Sequence, residues 1–512
     1  MMSQRFQSTL ATLSVAVILM SGVTSSQAVE PIDIGSRREL FVDQHLIEQL
    51  DGVRLELHRP VRREVVFRSD AAWEGNGSAY QSVFQDGDRF RIYYRGGHHP
   101  ASKAYQKNKS PWESLCVAES TDGIHWTRPE VGLVEFQGSK KNNLVLNESM
   151  VSEIGGSPAH TSVFKDANPD CPANERYKIV IVGRKPKGLY LLVSADGLRF
   201  QLKSSKPFVT QGAFDSQNLM FWDSVGKVYR EYHRQFDQGV RGIMTATSKD
   251  PGSFPKPQWL EYPDAAEQAL YTNQVQPYYR APHIFVGFPM RYNDRGWSKS
   301  MTALPGLEER QFRSEQSGRY GTTVTDAAFM TSRDGVSFHR WGEAFIRPGP
   351  ATKDTWVYGD NFIFWGMIQT KSHLEGAADD ISLYATEGYW QGESTSFRRY
   401  TLRQDGFVSA TSGWKGGRLQ TKPIVFDGTQ LQLNFATSAA GSIRVEIQDT
   451  DGKPLDGFSL ADCPELFGDT IARSVVWKDD SKEVSSLAGK PVRLLFELKD
   501  ADLYSFRFGG DE

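Results

Sequence analysis

The stretch S-T-D-G-I-H-W at residues 120–126 decides how this chain is read, because it is repeated. Close copies are S-A-D-G-L-R-F at 194–200, S-R-D-G-V-S-F at 332–338 and a looser S-K-D-P-G-S-F at 248–254. Each follows a short apolar run (115–118, 189–193, 327–330 and 243–246 respectively) and ends on an aromatic that opens the next extended segment. Asp-Gly between apolar runs marks a tight turn, since Gly takes positive φ without steric cost and the Asp side chain bonds its own turn backbone. A turn recurring at the same place in successive units is a repeat signature, and four-stranded sheets repeated around an axis make a propeller. Each copy is therefore expected to close one blade.

Working outward, paired strands are legible at 80–85 with 89–95, 161–165 with 177–183, 219–223 with 227–233, 275–279 with 283–290, and 361–370 with 381–386. Five groups predict five blades. Each unit is longer than the ~40–50 residues of compact propeller repeats, so long loops are expected on the binding face. From Leu419 on, alternation becomes strict, as in Leu431, Leu433, Phe435 and in Ile443, Val445, Ile447, with Asp-Gly turns at short spacing. That is the pattern of an antiparallel sandwich. The predicted fold class is all-β, a five-bladed β-propeller over 31–412 followed by a C-terminal β-sandwich over 415–512.

The chain has 512 residues and a formal net charge of −3, so no basic field invites nucleic acid. Residues 1–28 read as a signal peptide: Arg5, an apolar centre at 10–23 and the small-residue site Ser26-Gln27-Ala28. No later run is long and apolar enough for a membrane span, so the product is expected to be exported, periplasmic or extracellular. Cys116, Cys171 and Cys463 are too few and too scattered for a disulfide framework or a zinc site. Aromatics make up 12% of the chain, which suits strands and sugar faces alike.

In a propeller the first strand of every blade runs along the axis, so residues at its start converge from distant parts of the chain. The segments before these strands carry W-E-G-N (73–76), P-A-H (158–160), F-D-S-Q-N (214–218), Y-T-N (271–273) and Y-G-D-N (358–361). Glycoside hydrolysis uses two carboxyl groups, one protonated and one ionised. Glu74 and Asp215 are the leading pair, with Asp360 and Asp43 as further catalytic candidates; Trp73 beside Glu74 would raise its pKa. Asn76, Arg95, His160, Asn218, Asn273 and Arg291, together with Trp73, are candidates for binding a carbohydrate substrate. Arginine suits bidentate carboxylate binding, which admits a uronic or sulfated sugar. The alternative for each acid is a turn cap or an arginine partner. No cofactor is required and no metal ligand set is assigned; a structural Ca²⁺ at the axis is compatible with the axial oxygens, though no linear signature demands it.

With S-x-D-G-x-x-W/F hairpins on five blades, a signal peptide and a C-terminal sandwich, the chain resembles the glycoside hydrolase family 32 and family 43 superfamily, and it is similar to secreted bacterial family-32-like proteins opening R-R-E-L-F-V-D, here residues 37–43. The resemblance implies a glycosidase with three acids from successive blades. This chain lacks the family's W-M-N-D-P-N-G, R-D-P and E-C motifs; Glu74, His160 and Asp215 stand nearest their places. Two other readings compete with a secreted glycoside hydrolase. One is a non-catalytic glycan-binding propeller, and the other is a sialidase-like hydrolase, whose boxes carry one more residue between Asp and Gly.

Overall fold

The structure is a computed structural model describing residues 30–108, 113–353 and 355–510. The signal peptide expected at 1–28 lies outside the described residues. Five four-stranded antiparallel sheets form a β-propeller. Blade one pairs Ser82–Asp86, Arg89–Gly96, Ser114–Ser120 and Leu144–Asn147. Blade two pairs Ser157–Lys165, Tyr177–Arg184, Lys187–Ser194 and Gln201–Leu202. Blade three pairs Leu219–Asp223, Val228–Asp237, Val240–Ser248 and Gln258–Trp259. Blade four pairs Gln276–Tyr278, Ala281–Gly287, Met330–Ser332 and His339–Arg340. Blade five takes Ile368–Thr370, Asp380–Glu387 and Ser396–Leu402, and its fourth strand is Val61–Arg68 from the other end of the ring. That borrowed strand ties the first blade to the last and covers an otherwise open sheet edge.

The repeated turn has a job beyond reversing the chain. In three copies the Ser side chain accepts from the Gly amide (Ser120 from Gly123, Ser194 from Gly197, Ser332 from Gly335, at 2.9–3.0 Å), and the Asp carboxylate accepts from the next two amides. The Gly carbonyl is thereby left facing the preceding blade, where a buried tyrosine donates to it: Tyr384 to Gly123 at 2.5 Å, Tyr93 to Gly197 at 2.7 Å and Tyr232 to Gly335 at 2.7 Å. All three glycines have φ of +74° to +76°, and a Cβ there would meet side-chain atoms at 2.7–2.8 Å. The corner recurs because it clamps neighbouring blades. In blades two and four the motif's aromatic leads straight into the last strand, whereas in blade one Trp126 stays at the corner, its indole N–H donating to Gly123, and the last strand starts only at Leu144.

Apolar residues alternate along the strands and pack between blades. Phe67, Tyr94, Phe364, Phe397 and Tyr384 fill the seam of blades five and one, and Tyr93, Val117, Ile179, Ile181 and Tyr190 that of blades one and two. The axis itself is closed by buried amides. Gln217 Nε2 donates to the carbonyls of Tyr80 and Gln81, both at 3.0 Å, and Gln274 Nε2 donates to Gln217 Oε1 at 2.8 Å. An amide both donates and accepts, so Gln217 links Gln274 to the blade-one backbone, while Gln274 Oε1 is buried without a hydrogen-bond partner.

The chain's two ends build a second β domain together. Ile47–Asp51 pairs with Gly417–Thr421, and Val53–Leu57 with Val408–Ser412. The long strands Gln430–Gln448 and Arg493–Gly509 form the sheet's spine over a core that includes Phe435, Val445, Phe496 and Phe506. This corrects the division at 31–412 and 415–512: residues 32–57 and 408–412 belong with the second domain, because pairing between strands some 360 residues apart leaves no local trace in the sequence. Asp43, a catalytic candidate, sits at the junction, where its carboxylate pairs with Arg333 of blade four at 2.9 Å. Blade four also carries an insertion, a hairpin of Met290–Asp294 and Thr323–Ala327 whose ends enclose the helices Lys299–Thr302, Leu307–Gln316 and Gly318–Thr322. The buried Arg310 fixes this insertion, donating to the carbonyls of Trp356 and Thr355 at 2.7 and 2.9 Å. All three cysteines are buried and unbridged, and no helix among the described residues is long and apolar enough to cross a membrane.

Candidate functional site

A cavity of about 710 Å³ opens at one end of the propeller axis. Every blade contributes a residue from its first strand or from the segment leading into it: Tyr80, His160, Asp215, Tyr271 and Tyr358 all line the cavity. Tyr389 and Trp390 complete the aromatic wall, and Tyr320 reaches it from the blade-four insertion. The Tyr80 and Tyr271 hydroxyls are 3.0 Å apart, and the Trp390 indole stacks on His99 with centroids at 3.4 Å. Tyr80 and Trp390 hold φ of +58° and +62°. Bulky residues rarely adopt this left-handed backbone, and such strain collects at ligand sites.

Asp215 is the exposed carboxylate of this cavity, its side chain 73% accessible. Its Oδ1 accepts from His160 Nε2 at 2.9 Å, and Arg234 lies 3.9 Å from Oδ2. The His160 hydrogen bond, with the His160, Arg234 and Arg95 charges and against the cost of burial, holds this carboxyl well below the usual range. The other imidazole nitrogen faces the Ser157 hydroxyl at 2.8 Å. Ser157 is fully buried, so this Ser-His-Asp chain runs opposite to a serine hydrolase triad, where the hydroxyl meets the substrate. Here the carboxylate does, with His160 and Ser157 orienting it. Asn218 pins the same turn, its Nδ2 donating to the carbonyls of Phe214 and Ser216 at 3.0 and 3.1 Å.

Burial raises Tyr80 and Tyr358 well above the ordinary phenol value and Tyr389 to about 12. They stay neutral and can donate. Burial, reinforced by Arg95, drives His99 well below the ordinary imidazole value. Its Nδ1 accepts from the Ala101 amide at 3.1 Å, so the neutral ring carries its proton on Nε2. Arg95 donates to Gly77 O at 2.5 Å and to the Tyr389 hydroxyl, with its guanidinium 5.4 Å from the Tyr80 ring centre. Glu113, the second carboxylate of the cavity, is 3.6 Å from Arg184 and has one buried oxygen without a hydrogen-bond partner.

Of the residues expected at the site, the structure brings Asp215, His160 and Arg95 together. Glu74 is placed elsewhere. Buried to 1%, it accepts from Arg128 Nε and Nη2 at 2.9 and 2.8 Å, from the Ala71 amide at 3.0 Å and from the Tyr94 hydroxyl. This is the arginine-paired alternative, and it leaves no oxygen for a substrate. Trp73 belongs to the same wall, donating to Asn143 at 2.7 Å. Asn76 is buried behind the cavity, bridging Gly392 O at 2.8 Å and the His99 amide at 3.2 Å. Asp360, equally buried, accepts from the Tyr389 amide at 3.0 Å, and burial raises its pKa well above the carboxylate range. Asn273 caps its own turn at the Val275 amide, and Arg291 is paired with Asp326 at 2.7 Å facing a different hollow. The aromatic ring, Arg234, Arg241, Arg319 and Glu113 were not anticipated. Tyr271 and Tyr358 lay inside the very segments singled out, two residues before the amide and the acid that were chosen. Among the described residues no group of three or more His, Cys, Asp or Glu side chains gathers as a metal site.

No family model matches this chain, and no curated protein matches it in sequence. It is similar to solved structures of glycan-acting proteins. An endo-arabinase from Bacteroides thetaiotaomicron is 10% identical over 66% of this chain and 98% of its own, with a TM-score of 0.38. The RS223 β-xylosidase is 11% identical over 66% and 97%, with a TM-score of 0.39. An N-acetylgalactosamine deacetylase from F. plautii, solved with blood group B trisaccharide, is 13% identical over 68% and 96%, with a TM-score of 0.38.

Proposed function

We propose that the protein is an exported glycoside hydrolase that cleaves a polysaccharide or oligosaccharide in the axial cavity, with Asp215 as its ionised catalytic carboxylate. The observation that carries this is the setting of Asp215: an exposed carboxylate at the axial end of five converging strands, held ionised and oriented by His160, and facing an aromatic wall. An ionised carboxylate of this kind acts at the anomeric carbon, directly or through a water. In this reading Glu113, the other acid that lines the cavity, is the candidate for the second carboxyl group. The buried rings of Tyr271, Tyr358 and Trp390 pack on one another as a rigid apolar wall of the cavity, and the neutral tyrosine hydroxyls suit the oxygens of a sugar. A place in the family 32 and 43 superfamily is part of the same proposal, with Glu113 rather than Glu74 as the partner acid.

The test is a panel of oligosaccharides incubated with wild type and with Asp215→Asn, assayed for new reducing ends and for product mass. Hydrolysis adds one water per bond cleaved. Products gaining water in the wild type only support the reading. Products carrying a new double bond in place of added water, or equal turnover by both proteins, overturn it.

A further inference from the structure

We infer that the ligand of the axial cavity is an acidic sugar, one bearing a carboxylate or a sulfate ester; the inference rests on the reading of this cavity as a glycan site. The ground for it is charge. Six cationic side chains line the cavity, Arg95, Arg184, Lys187, Arg234, Arg241 and Arg319, against two carboxylates, Glu113 and Asp215. The whole chain carries a net charge of −3, so this concentration is local and does not reflect a basic protein.

The two acids do not neutralise the set. Asp215 takes up His160 and stands 3.9 Å from Arg234, and Glu113 stands 3.6 Å from Arg184. Among the described residues neither Arg241 nor Arg319 has a carboxylate within ion-pair distance. The Arg241 guanidinium carbon stands 4.0 Å from the centre of the Tyr292 ring, and its Nε is buried without a hydrogen-bond partner. Arg319 comes from the blade-four insertion, lines the same cavity and stands 5.1 Å from the centre of the Tyr320 ring. Guanidinium groups held against aromatic rings and away from carboxylates are set to receive an anion, and their planar forks match a carboxylate or a sulfate. A neutral glycan would bring no counter-charge to these two guanidinium groups in a partly enclosed space, at a cost in affinity. Arg241 and Arg319 are therefore assigned as the residues that select an acidic substituent.

The test is equilibrium titration of the full-length Asp215→Asn protein with three oligosaccharides of equal length: an oligogalacturonate, a sulfated galactan fragment and a neutral galactan fragment. At least one acidic probe is expected to bind about tenfold or more tightly than the neutral one, weakening as NaCl is raised, and to lose about tenfold on adding Arg241→Gln or Arg319→Gln. Which acidic probe binds separates uronate from sulfate. Thermal melts confirm that each variant is folded, and the two substitutions sit on different elements, so either one suffices. Equal or tighter binding of the neutral probe, binding of neither acidic probe, or acidic binding unchanged in both arginine variants overturns the inference. Turnover is measured separately with wild type. Acidic binding without cleavage refutes hydrolysis and leaves the acidic ligand standing, while cleavage of a neutral glycan without acidic binding does the reverse.

Discussion

The Tyr93 hydroxyl of blade one donates to the Gly197 carbonyl of blade two across 2.7 Å, joining two repeats through a buried contact. Two substitutions test its weight. Tyr93→Phe leaves the carbonyl without its donor and should cost about 1–3 kcal/mol. Gly197→Ala forces a Cβ onto a backbone with φ of +76° and into the Tyr93 hydroxyl at 2.8 Å, and should cost at least as much. Denaturant unfolding of both variants measures this; unchanged midpoints would show that the repeated corner is only a turn.

Glu74 and Arg128 make a bidentate pair away from the cavity. Glu74→Gln should therefore lower stability by about 2 kcal/mol, because Arg128 loses a charged partner, while turnover per folded molecule stays at the wild-type level. Chemical unfolding together with kcat on a substrate checks both halves. A large kcat loss with intact stability would restore Glu74 as a catalytic acid.

Trp390 faces the cavity and stacks on His99. Trp390→Ala removes part of the packed aromatic wall of the cavity and should raise KM more than it lowers kcat, by about tenfold, the size of an aromatic contact of about 0.5–1.5 kcal/mol. Steady-state kinetics on an oligosaccharide series checks it; a loss confined to kcat would move Trp390 from binding to chemistry.

The junction of the two domains predicts an acid limit. Although burial opposes it, the His283 imidazole and the Arg333 guanidinium hold the Glu39 carboxyl down at about 2, below its ordinary 4.5. The folded state thus binds fewer protons there than the unfolded chain. The stabilisation is fully present above pH 4.5 and disappears as the pH falls towards 2, of the order of 3 kcal/mol in all. Unfolding followed from pH 6 to pH 2.5 should be less pH-dependent in Glu39→Gln, though that variant starts lower. Parallel profiles for the two proteins would contradict the assignment.

The blades were legible because their signals are local. Turn residues, alternation and the recurrence of S-x-D-G lie within a few residues of one another, and the five strand pairs read at 80–386 are the first two strands of the five blades. The strands at 32–57 were not legible as part of the second domain, since their partners are remote and their own pattern is ordinary. The site was half legible for the same reason. His160 lies within the axial strand Ser157–Lys165 and Asp215 four residues before Leu219, whereas Glu74 lies eight residues before Ser82 and is buried at 1% exposure. What distinguishes it from a catalytic acid is Arg128, 54 residues on, and nothing in a linear reading joins the two. Tyr271 and Tyr358 lie in the irregular segments that lead into the axial strands Gln276–Tyr278 and Ile368–Thr370, where no periodicity says which side chain enters the cavity.

The central claim is most directly tested by rescue kinetics at Asp215. Asp215→Ala should lose about 10²–10⁴-fold in kcat and keep its fold, since this carboxylate is exposed rather than packed. Added formate, small enough to occupy the vacated position, should restore part of the rate in a concentration-dependent way. Wild-type turnover by Asp215→Ala without any added anion would contradict the account outright.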